Sequence, residues 1–185
     1  MRQSFLRSLP NRKVTFDDTV IIEPPFHDSI SALGELVIDR QAGTFQLVGL
    51  DHLGVTLLQI SGDSHGSTVD YAVPELIEHK DLLIAMGQDI WRMFFDLVPT
   101  KTAKVEFADN AAWYSEDTPG GTLIYELGGN PVVLVQKYLD GFFGAVWRVR
   151  YYQYASSDGS LYPYGIVMDN SRYHYRIIVK NRAMQ

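Results

Sequence analysis

The side chains able to do covalent or metal chemistry are thinly spread through this sequence. The histidines are His27, His52, His65, His79 and His174, with no His-x-His or His-x-x-x-His pair among them. A zinc site needs three or four converging ligands, and cysteine is absent, so a thiolate site is impossible. "GDSHG" (62–66) holds Asp63, Ser64 and His65 side by side. A hydrolytic triad is defined by geometry rather than adjacency, and this stretch reads as a polar hairpin turn. Asp17 and Asp18 are neighbours on a strand-like segment, so they point to opposite faces and make a poor carboxylate pair. "GDSHG" does spell Gly-x-Ser-x-Gly, but as a polar hairpin between two strands it lacks the strand-to-helix turn of a nucleophile elbow; there is no phosphate loop, and "TPGG" (118–121) and "GGNP" (128–131) are turn sequences. The expectation is a protein without covalent catalysis, metal or cofactor.

What remains is apolar. "LLIAMGQDIWRMFFDLVP" (82–99) is too short and too interrupted to cross a bilayer, which takes about 20 apolar residues. Read as a helix over 81–98, it gathers Asp81, Ala85, Gln88, Asp89, Arg92 and Asp96 into an arc of roughly 100° facing outward. The rest of the circumference is apolar, about twice the stripe that a helix on a flat sheet needs. Such a helix should be enclosed on most sides by a concave sheet. Met86, Ile90, Trp91, Met93, Phe94 and Phe95 would then line a space for an acyl chain or similar guest, with inward strand residues Phe45, Tyr125 and Trp147. Methionine and aromatic residues suit an adaptable apolar site; they also suit a closed core.

A second pattern is cationic. In "RYHYRIIVK" (172–180), Tyr173, Tyr175, Ile177 and Val179 share one face and Arg172, His174, Arg176 and Lys180 the other. Arg148 and Arg150 share a face in "VWRVRYY". Were these strands neighbours, a basic stripe would cover the outer face and suit anionic headgroups or an acidic partner. A solvated face with cross-strand ion pairs is the other reading.

These residues need a frame. The chain has 185 residues, the length of one large domain, with a net charge of -6 that disfavours a general nucleic-acid binder. Residues 1–13 read as an arm or linker and 14–185 as the domain. Short alternating strands separated by turn residues run from Ile30 to Val73, and return after residue 103. No helix-length crossover separates them, so they should pair antiparallel. The expectation is an α+β fold: one curved antiparallel sheet, a half-barrel of about eleven strands, wrapped around a helical plug.

Two stretches resemble a known family. "LVGLDHLGVTLLQI" (47–60) is similar to a strand–loop–strand of the LolA/LolB superfamily, which handles bacterial lipoproteins in the periplasm. The helix "LLIAMGQDIWRMFFDLVP" with "YPYGIVMDNSRYHYRIIVK" (162–180) resembles an uncharacterised group of LolB-like outer-membrane lipoproteins. The resemblance implies binding and transfer of lipoprotein acyl chains or another acylated lipid at the inner leaflet of the outer membrane. A periplasmic carrier protein is the implied partner, and a lipidated anchor cysteine is implied upstream. Leu53 falls where the family has a protruding, membrane-contacting leucine; His52 replaces the family's proline beside it. Arg148, Arg150, Arg172, Arg176 and Lys180 would meet headgroups or a partner. The alternative is a scaffold lipoprotein with a closed core that binds proteins through the basic face.

Overall fold

The computed structural model describes residues 13–23, 30–108, 110–157 and 160–184. The first twelve residues of the expected arm lie outside them. Among the described residues, twelve strands form a single sheet, and every neighbouring pair is antiparallel. The first five are β1 (Lys13–Glu23), β2 (Ile30–Asp39), β3 (Thr44–Leu50), β4 (Thr56–Asp63) and β5 (Gly66–Ala72). Then come two helices, α1 (Pro74–Ile77) and α2 (Lys80–Phe94). The chain continues with β6 (Lys104–Ala108), β7 (Ala111–Thr118), β8 (Gly121–Gly128), β9 (Val133–Gly141), β10 (Gly144–Ser157), β11 (Ser160–Asn170) and β12 (Tyr175–Met184).

The spatial order is β5-β4-β3-β2-β1-β12-β11-β10-β9-β8-β7-β6. Two meanders are thus fused where β1 pairs β12, with Val20 opposite Val179 and Ile22 opposite Ile177. The sheet is open, with β5 and β6 as its edges. These two edges are joined directly by the segment that carries the helices, so that segment has to cross one face of the sheet. Along the strands, Leu36 and Ile38, Phe45 and Leu47, and Trp147, Val149 and Tyr151 turn into the core on alternate positions.

The helix α2 lies on that face. It packs against β4 and β5 at one side and β11 further round. Lys137 of β9 reaches the carbonyls just past its end. A helix about 22 Å long, with the two residues that follow it, therefore reaches strands eight places apart, about 38 Å in a flat sheet. The sheet has to curl to bring them within reach. Gly87 lets α2 come close to the edge hairpin: a Cβ there would lie 2.6 Å from Ser67 and 2.9 Å from Ile60. Ser67 fixes the approach by donating to the Ile84 carbonyl at 2.7 Å.

Three expectations need correction. The helix stops at Phe94 rather than running on to Pro99: Phe95 is extended and Asp96 takes a left-handed φ of 47°, a conformation aspartate tolerates better than most residues. The last strand begins at Tyr175, because Arg172, Tyr173 and His174 form the preceding turn. Asp89, placed by the helical wheel on the outward arc, is fully buried, and so is Ala85. Buried positions occupy about 200° of the α2 wheel at 100° per residue.

Candidate functional site

Besides the Ser67 contact to Ile84, the helix α2 is held by polar contacts at two further points. At its middle, the Asp89 carboxylate accepts hydrogen bonds from the Tyr175 hydroxyl and, at 2.7 Å, from the Asn170 side-chain amide. It also pairs with Arg92 one turn on. A buried carboxylate is tolerated only when its lone pairs are filled in this way. Burial and the adjacent Asp89 charge push the Tyr175 hydroxyl well above its ordinary range, keeping it a neutral donor.

At the C-terminal end, the last carbonyls have no partner within the helix, and side chains from the sheet supply them. Tyr151 donates to the Met93 carbonyl at 3.0 Å, and Arg40 to Phe94 at 2.7 Å. Lys137 donates to Phe95 at 2.6 Å and Asp96 at 3.2 Å. Two cations at a helix C-terminus also oppose its dipole. Burial lowers the Lys137 ammonium from its ordinary value to about 7, against a smaller opposing pull from Asp96. Arg40 is lowered to about 10, again by burial.

The two flanks of α2 differ. Toward β1–β4 and β12, Met86, Ile90, Met93 and Phe94 face Leu36, Leu47 and Ile177 around a void of only about 30 Å³. Phe94 meets the Phe16 ring at 5.6 Å on this side. Toward β8–β10 there is an open cleft of about 260 Å³. Its walls are Trp91, Arg92, Gln88 and Asp96 from the helical segment, Leu123, Lys137 and Trp147 from the sheet, and the β4–β5 turn at residues 63–66. Trp91 stacks on Phe95 with ring centroids 5.3 Å apart, and the Arg92 guanidinium lies 5.3 Å from the centre of the Trp147 ring. The buried Trp91 indole N–H has no acceptor within the described residues.

The residues expected to line one cavity are therefore divided. Met86, Ile90, Met93 and Phe94 border the small void, while Trp91 and Trp147 border the cleft. Phe45, Phe95 and Tyr125 are buried in the core. Asp63, Ser64 and His65 do reach the cleft, but Asp63 and Ser64 both approach the same ring nitrogen of His65, Nδ1, at 3.4 and 3.3 Å. A triad needs the acid and the nucleophile on opposite ring nitrogens, so this turn lacks the relay geometry. Among the described residues no group of three or more His, Asp or Glu gathers as a metal site would require.

Leu53 projects from the β3–β4 loop and is 76% exposed. The loop is ordered despite His52: the Asp51 carboxylate accepts the backbone N–H of both Leu53 and Val55 at 2.8 Å, and Gly54 takes a φ of +82°. The cationic strands are not neighbours. β11 lies between β10 and β12 and presents Asp169, which pairs with both Arg150 and Arg176; Arg176 also reaches Glu23 at 3.5 Å. Arg148 sits 4.9 Å from the Tyr138 ring centre, while Arg172 and Lys180 are exposed, Arg172 in the turn before β12.

No family model matches the chain, and no curated protein matches it in sequence. Solved structures do match. An outer membrane lipoprotein-sorting protein domain from Vibrio parahaemolyticus superposes with a TM-score of 0.62 at 13% identity, covering 100% of this chain and 88% of that one. A LolA superfamily protein from Nitrosomonas europaea gives 0.59 at 10% identity, covering 100% and 92%. The chain has a LolA-like fold. A DUF1329 family protein from Desulfovibrio piger shares it more distantly, with a TM-score of 0.53 at 10% identity over 95% and 86% of the two chains. The LolA-like likeness bears out the superfamily resemblance at the level of fold. No described helix is long and apolar enough to cross a membrane.

Proposed function

We propose that this protein binds a lipid-like ligand, a lipoprotein acyl chain or another acylated envelope lipid, and hands it over at the bacterial outer membrane without covalent catalysis. The observation that carries the reading is the asymmetry around α2. One flank is closed, and the other opens into a cleft walled by Trp91 and Trp147. At about 260 Å³ the cleft is close to the lower end of ordinary ligand pockets, roughly 300 Å³. An acyl chain seated there would extend by easing α2, a helical plug, away from the sheet. The driving force is apolar burial, about 0.8 kcal/mol per methylene, and a bilayer competing for the same chain would release it. The buried Trp91 indole N–H, unpartnered within the described residues, would become a donor to an ester or amide carbonyl at the head of such a chain once α2 is eased aside. The LolA-like fold and the lipoprotein-sorting description of the Vibrio structure support the reading. They also support a periplasmic or outer-membrane setting; an anchor upstream, Leu53 touching the outer membrane and a carrier protein as donor of the ligand complete the proposal.

The test is equilibrium binding of a fluorescent acyl-chain probe. Saturable binding is expected, weakened at least tenfold by Trp91→Ala and unchanged by Leu53→Glu. Absence of binding at every chain length would favour the second reading, a scaffold lipoprotein with a closed core. The void of about 30 Å³ is the observation on that side. The ion pairing of Asp169 with Arg150 and Arg176 leaves such a scaffold less free positive charge than the sequence pattern suggests.

A further inference from the structure

The two ends of the sheet are unlike. Register follows from strand to strand: Gly141 opposes Gly144, Trp147 opposes Asn170, Asn170 opposes Tyr175, and Arg176 opposes Glu23. Through β1 and β2 this edge continues to Leu50 and the β3–β4 loop. The β3–β4, β9–β10 and β11–β12 connections therefore leave the same end of the sheet. They carry Leu53, then Phe142 and Phe143, then Tyr173, with Leu53 76% exposed and the two phenylalanines 95% and 98% exposed. The connections at the opposite end present Gln41, Ser64, His65, Asn110 and Asn130.

Phe142 and Phe143 are the two central residues of a hairpin whose flanks, Gly141 and Gly144, face each other. Such two-residue loops favour Asn-Gly or Gly-x pairs, so neither phenylalanine serves the turn. Neither serves the core, from which both rings point away, packed only edge to face at 4.9 Å. A convex tip of this kind finds its complement in a soft apolar phase. It shares the edge with Leu53, about six strand spacings or roughly 29 Å away along the sheet, and a flat lipid surface receives both tips at once. The one acidic side chain beside Leu53, Asp51, is occupied by its own loop, and Tyr173 and Arg172 add an aromatic ring and a cation of the kinds that favour the headgroup layer.

We propose that the Phe142–Phe143 hairpin inserts into a lipid bilayer and, with Leu53, seats this end of the sheet on the membrane. This rests on the reading of Leu53 as a membrane contact, and it is independent of whether the cleft holds a ligand. The insertion is apolar, so zwitterionic lipid suffices.

The test is flotation of the purified chain with phosphatidylcholine vesicles, and with vesicles holding one-quarter phosphatidylglycerol. The wild type is expected to float with both. Phe142→Ser with Phe143→Ser should lower the partition coefficient at least tenfold in both, with an unchanged melting temperature because neither ring touches the core. Phe107→Ser is the control: Phe107 is 66% exposed but belongs to the far end of β6, and its loss should leave flotation unaltered. Acyl-probe binding in solution should be the same in the double variant as in the wild type, which separates failure of this proposal from failure of the cleft. A wild type that does not float would overturn it, as would flotation indifferent to the double substitution or equally sensitive to Phe107→Ser. A concentration-dependent dimer abolished by the double substitution would overturn it too, by assigning the tip to a second copy of the chain.

Discussion

The flank of α2 toward β1–β4 is lined by aliphatic, methionine and phenylalanine side chains alone, whereas the flank toward β8–β10 sets two tryptophans among polar and charged residues, and the two do different things. On the first, methionine, isoleucine and phenylalanine interdigitate with strand residues until only about 30 Å³ is left. On the second, Trp91 and Trp147 border an open cleft of about 260 Å³, and Tyr151 and Lys137 hold the end of the helical segment by hydrogen bonds to its last carbonyls. Packing resists a change of even one methylene, whereas a few directed hydrogen bonds define a position that can be left and regained. The contrast locates where a guest enters and which contacts it has to loosen.

The largest expected effect tests the closed flank. Met93 has no exposed surface, so Met93→Ala should cost about 2–5 kcal/mol in urea unfolding through the cavity it leaves. Trp91→Ala, on the open flank, should cost less stability while removing most acyl-probe binding. Equal stability losses would break the distinction between the flanks.

A smaller effect tests the polar clamp at the end of α2. The Lys137 ammonium is lowered by burial to about 7 in the folded chain, against an ordinary value of 10.5. Between those limits the unfolded chain holds a proton that the folded chain does not, so this group's contribution to stability rises with pH there. Comparing wild type with Lys137→Met between pH 7 and 9 should show the wild type gaining, on the order of 2 kcal/mol or less. A pH-independent difference would mean that the ammonium is solvated and the clamp is looser than described.

The strands and their antiparallel order were legible because alternation and turn residues are local signals. The helix was legible as apolar over more than half its surface, and Leu53 as a projecting residue only through the family resemblance. Asp89 was not. A wheel assigns a carboxylate to water, while its actual partners, Asn170 and Tyr175, lie 81 and 86 residues away. Lys137 was hidden by a bulge: the register shifts between Glu126 and Leu127, so both Leu134 and Lys137 turn inward and strict alternation fails. The β9–β10 turn is visible in the sequence as "DGFFG" (140–144): the glycines mark the turn, and two aromatic residues stand where a turn needs neither. The cationic stripe depended on strand adjacency, which the sequence pattern leaves open, and Asp169 of β11 sits between its two halves.

The most direct test is quenching of tryptophan fluorescence by a fatty acid brominated along its chain. The protein has three tryptophans: Trp91 and Trp147 border the cleft, while Trp113 alternates with inward Ala112 and Tyr114 on β7 and belongs to the other face. A chain seated in the cleft should quench saturably, and in Trp113→Phe, whose emission comes only from the cleft pair, the quenched fraction should rise. No quenching, or quenching that disappears in Trp113→Phe, would place the acyl chain elsewhere and contradict the account.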